Sequence, residues 1–140
     1  MLPKVSEVKR VYVLDACALL RLAQDEPGAE HVAEILACAA SGNARVLLHQ
    51  INFGEVVYRI GKQFGWPLAE RKRGEISLLP IEIAAFTEDI FWQAVKLKAV
   101  YPMSYADCFS AALAIKEQAV LLTSDPEFEV LGSAVPRMAV

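Results

Sequence analysis

Histidine and cysteine are too few and too badly spaced in this chain to build a conventional zinc centre or a disulfide framework. The three cysteines, Cys17, Cys38 and Cys108, are odd in number, contain no CxxC pair and lie among alanines and aliphatic residues. Structural zinc takes four ligands at recognisable spacing, and disulfide scaffolds take paired cysteines. The three are therefore expected to be small buried hydrophobes. His31 and His49 form no HExxH pair. No uncharged stretch approaches the roughly 18 residues of a membrane span. Met1 to Glu7 has no apolar signal-peptide core, so a cytoplasmic protein without a membrane partner is expected. Repeats and low-complexity segments are also missing. Residues 1–140 are expected to form a single domain, enough chain to close one core and too little for two.

Nor is there an excess of basic charge. Lys and Arg number 14 against 17 Asp and Glu, a net charge of −3, whereas nucleic-acid-binding domains are commonly basic. That objection weakens if several acids hold a cation, because the remaining surface then need not repel phosphate. What the chain does contain is a hydrophobic fraction of 55% with 22% charged residues, which excludes disorder.

The first organised stretch is Val11 to Leu20, in which Asp15 is the only charge. A short continuous apolar run suits a strand covered on both faces, as in a parallel sheet. Asp15 then stands at the carboxyl edge of that strand, where open α/β sheets bind their ligands. A short helix follows to about Gln24, broken by Asp25-Glu26-Pro27-Gly28. Val32, Ile35, Leu36 and Ala39 recur at helical spacing between Ala29 and Ala40, and Arg45 to His49 reads as a second strand. Ile51 to Gly65 gathers Phe53, Val56, Val57, Ile60 and Phe64 on one helical side. Gly65-Trp66-Pro67 is read as its stop, and Leu68 to Leu79 carries the densest basic group, Arg71-Lys72-Arg73. Pro80 to Ile83 alternates like an edge strand. Thr87 and Ser104 are read as caps of helices reaching Val100 and Ile115, and Ala119 to Leu122 as a fourth strand. Ala134 to Val140 is placed as a last edge strand. Strands alternating with helices predict an α/β fold, a parallel sheet with helices on both faces.

Four carboxylates stand out, and each has a plainer use as well. Asp15 and Asp125 both follow apolar strands, and both suit a helix N-cap, Asp125 with Pro126 at the first helical position. Asp107 is the only charge between Ala106 and Ile115. Burying it uncompensated is costly, yet from the first turns it also stabilises a helix N-terminus. Glu55 faces Arg59 one turn on, a solvated ion pair. Taken together, carboxylates at strand ends and on facing helices repel one another, and a hard divalent cation with oxygen ligands removes the conflict. Without histidine or thiolate in the set, Mg²⁺ or Mn²⁺ fits better than zinc.

Leu14-Asp15-Ala16-Cys17-Ala18-Leu19-Leu20, Asn52-Phe53-Gly54-Glu55-Val56, Tyr105-Ala106-Asp107-Cys108-Phe109-Ser110-Ala111-Ala112 and Leu122-Thr123-Ser124-Asp125-Pro126-Glu127-Phe128 together resemble the four successive acidic motifs of PIN-domain ribonucleases, most closely VapC-type toxins of type II toxin–antitoxin systems. The resemblance spans about Val11 to Phe128. It implies a PIN-like three-layer sandwich with a mostly parallel sheet of four to five strands. It also implies a homodimer, a cognate antitoxin, and Mg²⁺- or Mn²⁺-dependent cleavage of RNA by Asp15, Glu55, Asp107 and Asp125. Cys17, Asn52, Thr123 and Ser124 would surround those ligands. Cys17 departs from the pattern, standing where the family commonly has a small hydroxyl or amide residue, and a thiol is a poorer donor. Arg59, Lys62, Arg71, Lys72 and Arg73 are candidate phosphate contacts or a solvated helix face. Trp66, Trp92 and Tyr101 are placed in core or dimer packing, with base stacking as the alternative. His49 is a minor candidate for acid–base work. A noncatalytic partner-binding module with the same fold is the competing reading. A phosphoryl-accepting domain is disfavoured because Asp15-Ala16-Cys17 lacks a second Asp.

Overall fold

The strands form because their residues alternate between two buried environments. The computed structural model describes residues 9–140. The stretch Met1 to Glu7, read above for a signal-peptide core, lies outside the described residues. β1 (Arg10–Leu14), β2 (Ala44–His49), β3 (Glu82–Ala84), β4 (Val120–Thr123) and β5 (Arg137–Ala139) form one five-stranded sheet in the order β3-β2-β1-β4-β5. Every neighbouring pair is parallel. Val13, Leu47 and Leu121 point to one face, while Leu14, Leu48 and Leu122 point to the other. A period of two on a doubly covered sheet produces that division.

The first face-covering layer is α1 (Ala16–Ala23), α2 (Ala29–Ala40), α3 (Gln50–Phe64) and α4 (Trp66–Ser77), which pack Leu19, Val32, Val56 and Ile60 over Leu14 and Leu48. The second is α5 (Glu88–Val100) and α6 (Tyr105–Glu117), with Ile90, Ala94, Phe109 and Leu113 over Val13 and Leu121. The chain is thus a three-layer α/β sandwich, as expected, with all five strands parallel. Among the described residues no helix is long and apolar enough to cross a membrane.

Some local expectations are corrected. Trp66 and Pro67 open α4; only Gly65, at φ 95°, separates it from α3. Pro suits a first helical turn, where its missing N–H has no partner to lose. Thr87 stands at the N-cap of α5, but its hydroxyl donates to the Asp89 carboxylate and caps no backbone N–H. Residues Pro126–Ala134 form a 3₁₀ segment that buries Phe128 and Leu131; it starts at the Asp125 cap and Pro126 read above, but its extent was not expected. Of the cysteines only Cys108 is fully buried, and Cys38 is exposed on the outer side of α2. Trp66 and Trp92 are 56% and 60% exposed, so neither belongs to the core.

Candidate metal centre

The carboxyl ends of β1 and β4, the two central neighbours, deliver Asp15 and Asp125 to the same edge. Asp15 caps α1, its Oδ1 accepting the Ala18 N–H at 2.7 Å. Its Oδ2 accepts the Thr123 hydroxyl at 2.5 Å. That hydroxyl in turn accepts the Asp125 N–H at 2.9 Å, so one side chain holds both strand ends in register. The cap reading of Asp15 therefore holds, and Thr123 links the same carboxylate to Asp125.

Asp15 is 1% exposed. Burial pushes its carboxyl up to about 6, against the Thr123 and Ala18 hydrogen bonds and with help from the charges of Asp125 and Glu55. A carboxyl whose folded pKa is raised binds protons more readily folded than unfolded. Stability therefore falls as pH rises from near 4 to about 6, by on the order of 3 kcal/mol at most. Asp15→Asn keeps an oxygen for Ala18 and carries no charge. Compared by thermal denaturation in chelator, this variant is expected to gain on the wild type as pH rises from 4 to 7, the gap levelling above about 6. A constant difference across that range would show that the Asp15 charge is not strained.

Asp107 comes from the first turn of α6, whose N-cap Ser104 accepts the Asp107 N–H at 3.2 Å. Asp125 caps the 3₁₀ segment, its Oδ1 accepting the Glu127 N–H at 2.9 Å. Glu127 reaches back across the cleft, its Oε1 accepting the Ser104 N–H at 2.8 Å. Carboxylate oxygens of Asp107, Asp125 and Glu127 all lie within 4.8 Å of one another. The Asp107 carboxyl is held well above its ordinary range, first by burial, then by its hydrogen bond with Glu127 and by the charges of Asp125 and Glu127.

Glu55, on α3, forms the opposite wall. Its Oε2 lies 3.7 Å from Arg59 Nη1. Its Oε1 is buried and has no hydrogen-bond partner among the described residues. Burial raises the Glu55 carboxyl, with Arg59 and Asn52 opposing. Asn52 ties α3 to α6 by donating from Nδ2 to the Ala106 carbonyl at 3.0 Å.

Together these side chains line a cleft of about 600 Å³, with Arg59, Lys62 and Cys17 also on its walls and Asp15 beneath. The Cys17 Sγ lies 3.2 Å from the Ser124 hydroxyl, which accepts the Arg21 Nε–H at 2.9 Å. Arg71, Lys72 and Arg73 lie on α4 and do not line this cleft; Lys72 faces Glu75 at 3.3 Å and Arg73 faces Glu70 at 3.6 Å. His49 is buried at the start of α3, its Nδ1 accepting the Ile51 N–H at 3.0 Å, and it does not reach the cleft. Burial lowers its basicity. Glu127 is the residue that motif reading passed over; its position two residues after Asp125 becomes meaningful only once the 3₁₀ turn folds it back.

The donor set is entirely oxygen, its members repel, and one buried carboxylate oxygen lacks any donor. Such a set fits a hard divalent cation and lacks the thiolate and imidazole ligands usual for structural zinc.

The family model for the PIN domain matches residues 12–133 of the chain. No curated protein matches it. Among solved structures, it is similar to DNA-bound VapBC from Salmonella typhimurium, with TM-score 0.73, 18% identity, and 93% of this chain covering 98% of that one. VapBC2 from Rickettsia felis, bound to a promoter DNA fragment, gives TM-score 0.71, 17% identity and coverage of 92% and 98%. Mycobacterium tuberculosis VapC20, a sarcin–ricin loop cleaving toxin, gives 0.68, 18%, and coverage of 86% and 95%.

Proposed function

Because the chain belongs to the PIN domain family, we propose that it is a metal-dependent endoribonuclease, with Asp15, Glu55, Asp107 and Asp125 holding Mg²⁺ or Mn²⁺. The observation that carries this reading is the cleft itself, whose walls bear carboxylates from α3, α6 and the turn after β4, with buried Asp15 near enough to feel the charges of Asp125 and Glu55. A divalent cation bound there supplies charge at a phosphodiester oxygen and lowers the pKa of a coordinated water. The chain's own residues set the geometry. Thr123 fixes the separation of Asp15 and Asp125, Asn52 holds α3 against α6, and Cys17 and Ser124 close the wall beside them. Arg59 and Lys62 stand on the cleft wall and are the side chains placed to take flanking phosphates. Arg71, Lys72 and Arg73 lie farther off, where only long-range attraction reaches a polyanion.

The likeness to VapBC assemblies supports a role as the toxin of a toxin–antitoxin pair, with a cognate antitoxin as partner. The cleavage named for the Mycobacterium tuberculosis neighbour supports RNA as the substrate. A homodimer of single-domain subunits acting in the cytoplasm completes the reading. Purified protein is expected to cut an end-labelled RNA pool with Mg²⁺ or Mn²⁺ and to stop when chelator is added. Intact RNA at all metal concentrations would overturn the assignment. The Cys17 thiol favours a second reading, a noncatalytic module that uses the acidic cleft to receive a basic side chain from its partner; partner binding without turnover or Mn²⁺ affinity would select it.

A further inference from the structure

We propose that the groove between α3, α4 and β3 is a subsite for a nucleobase of the RNA, with the Tyr58 ring stacked on the base next to the phosphate held in the cleft. This rests on the reading of the cleft as an RNA-cleaving centre and adds a second surface to it. Tyr58 joins the two hollows: it stands on the wall of the acidic cleft with Arg59 and Lys62, and it also lines a neighbouring groove of about 400 Å³. Phe53, Val57 and Trp66 line that groove as well, and its one charged lining residue among the described residues is Arg73. One hollow is therefore acidic and suited to a cation, while the other is aromatic and carries no negative charge. A nucleotide is divided in the same way, into an anionic phosphate that a cation attracts and a flat base with two π faces.

Two aromatic side chains and two glycines shape the groove. Tyr58 and Trp66 are both more than half exposed. Gly61 lets the indole lie against α3, since a Cβ at that position would stand 3.2 Å from Trp66 Cε3. Gly54, one turn before Tyr58, has no such use: a Cβ there would meet no atom of the described residues within 4 Å. Glycine inside a helix is less favourable than alanine, and the space that Gly54 keeps open belongs to the groove it lines. The groove's volume falls within the range of small-ligand sites, which suits a single base. Unpaired RNA is bound by stacking splayed bases on aromatic rings while basic groups follow the backbone. Arg59 and Lys62 supply those basic groups on the cleft side of Tyr58.

Cleavage of an end-labelled single-stranded RNA pool with Mn²⁺ would be followed at steady state for wild type, Tyr58→Phe, Tyr58→Ala and Gly54→Ala. Solution mass by light scattering and the metal-free melting temperature would be measured for each. Tyr58→Ala is expected to raise KM by about tenfold with a smaller change in kcat, and Tyr58→Phe, which keeps the ring, to stay near wild type. Gly54→Ala is expected to raise KM severalfold while melting no lower than wild type, because its methyl group improves the helix and enters only the groove. Unchanged KM in Tyr58→Ala and Gly54→Ala would overturn the subsite and leave the nuclease standing. Equal loss in Tyr58→Phe and Tyr58→Ala would assign the effect to the hydroxyl and overturn stacking. Should Tyr58→Ala melt well below wild type, Gly54→Ala decides alone. A lower solution mass in either variant would make the groove an interface between copies of the chain and overturn the base subsite. No cleavage by wild type would instead remove the nuclease reading, and this inference with it.

Discussion

Replacing Asp107 by asparagine is expected to reduce metal-dependent RNA cleavage by about 10²-fold or more, with the fold intact. The substitution preserves volume, and the helix cap survives because Ser104 bonds the backbone N–H of residue 107, not its side chain. What disappears is a charge that is 8% exposed and set against Asp125 and Glu127. Removing one of several mutually repelling acids relieves strain, so the metal-free variant is expected to melt at or above the wild-type temperature. Added Mn²⁺ should raise that temperature less than in wild type, since a ligand stabilises only in proportion to its affinity for the folded state. Gel assays of RNA cleavage and thermal melts with and without Mn²⁺ check both halves. Undiminished cleavage would mean that Asp107 serves only its helix.

Phe128→Ala is expected to cost about 3 to 5 kcal/mol of stability, the usual range for truncating a buried aromatic. Phe128 is fully buried in the core formed by α5, α6 and one face of the sheet, directly after the turn that presents Asp125 and Glu127. It anchors that turn to the sheet from beneath. Urea denaturation of metal-free protein measures the loss. Mn²⁺ affinity should fall as well, because the turn's two carboxylates lose the packing that aims them. A loss below about 1 kcal/mol would show that the 3₁₀ segment is held from elsewhere, for example by Arg137, whose guanidinium donates to the Phe128 carbonyl at 2.9 Å.

The core strands were legible because burial on both faces leaves a simple mark. Val11 to Leu14, Val46 to Leu48 and Val120 to Leu122 are nearly unbroken apolar runs. The edge strand β3 was legible from its alternation. Local chemistry also pointed to the helix starts at Ala16, Tyr105 and Pro126, where Asp15, Ser104 and Asp125 do cap. What escaped depends on the path of the chain in space. Trp66 looks like a core residue by type, but it begins a helix whose apolar side is narrow, and its ring stays largely in solvent. Arg71, Lys72 and Arg73, read as phosphate contacts or a solvated helix face, lie on α4 outside the cleft lining, a placement that sequence density does not reveal, and i,i+3 acids face two of them. Glu127 escaped because a carboxylate two residues after an N-cap is ordinarily a favourable first-turn charge and nothing more.

The hydrogen bond from Thr123 to Asp15 spans 108 positions of sequence. Its consequence concerns the order of synthesis. A growing polypeptide exposes Asp15 and Glu55 early, but β4 cannot join the sheet, nor Asp125 and Glu127 close the cleft, until the stretch around Phe128 has left the ribosome. Under the nuclease reading, the chain cannot act on the message that encodes it before residues as far as Phe128 have emerged and joined the sheet.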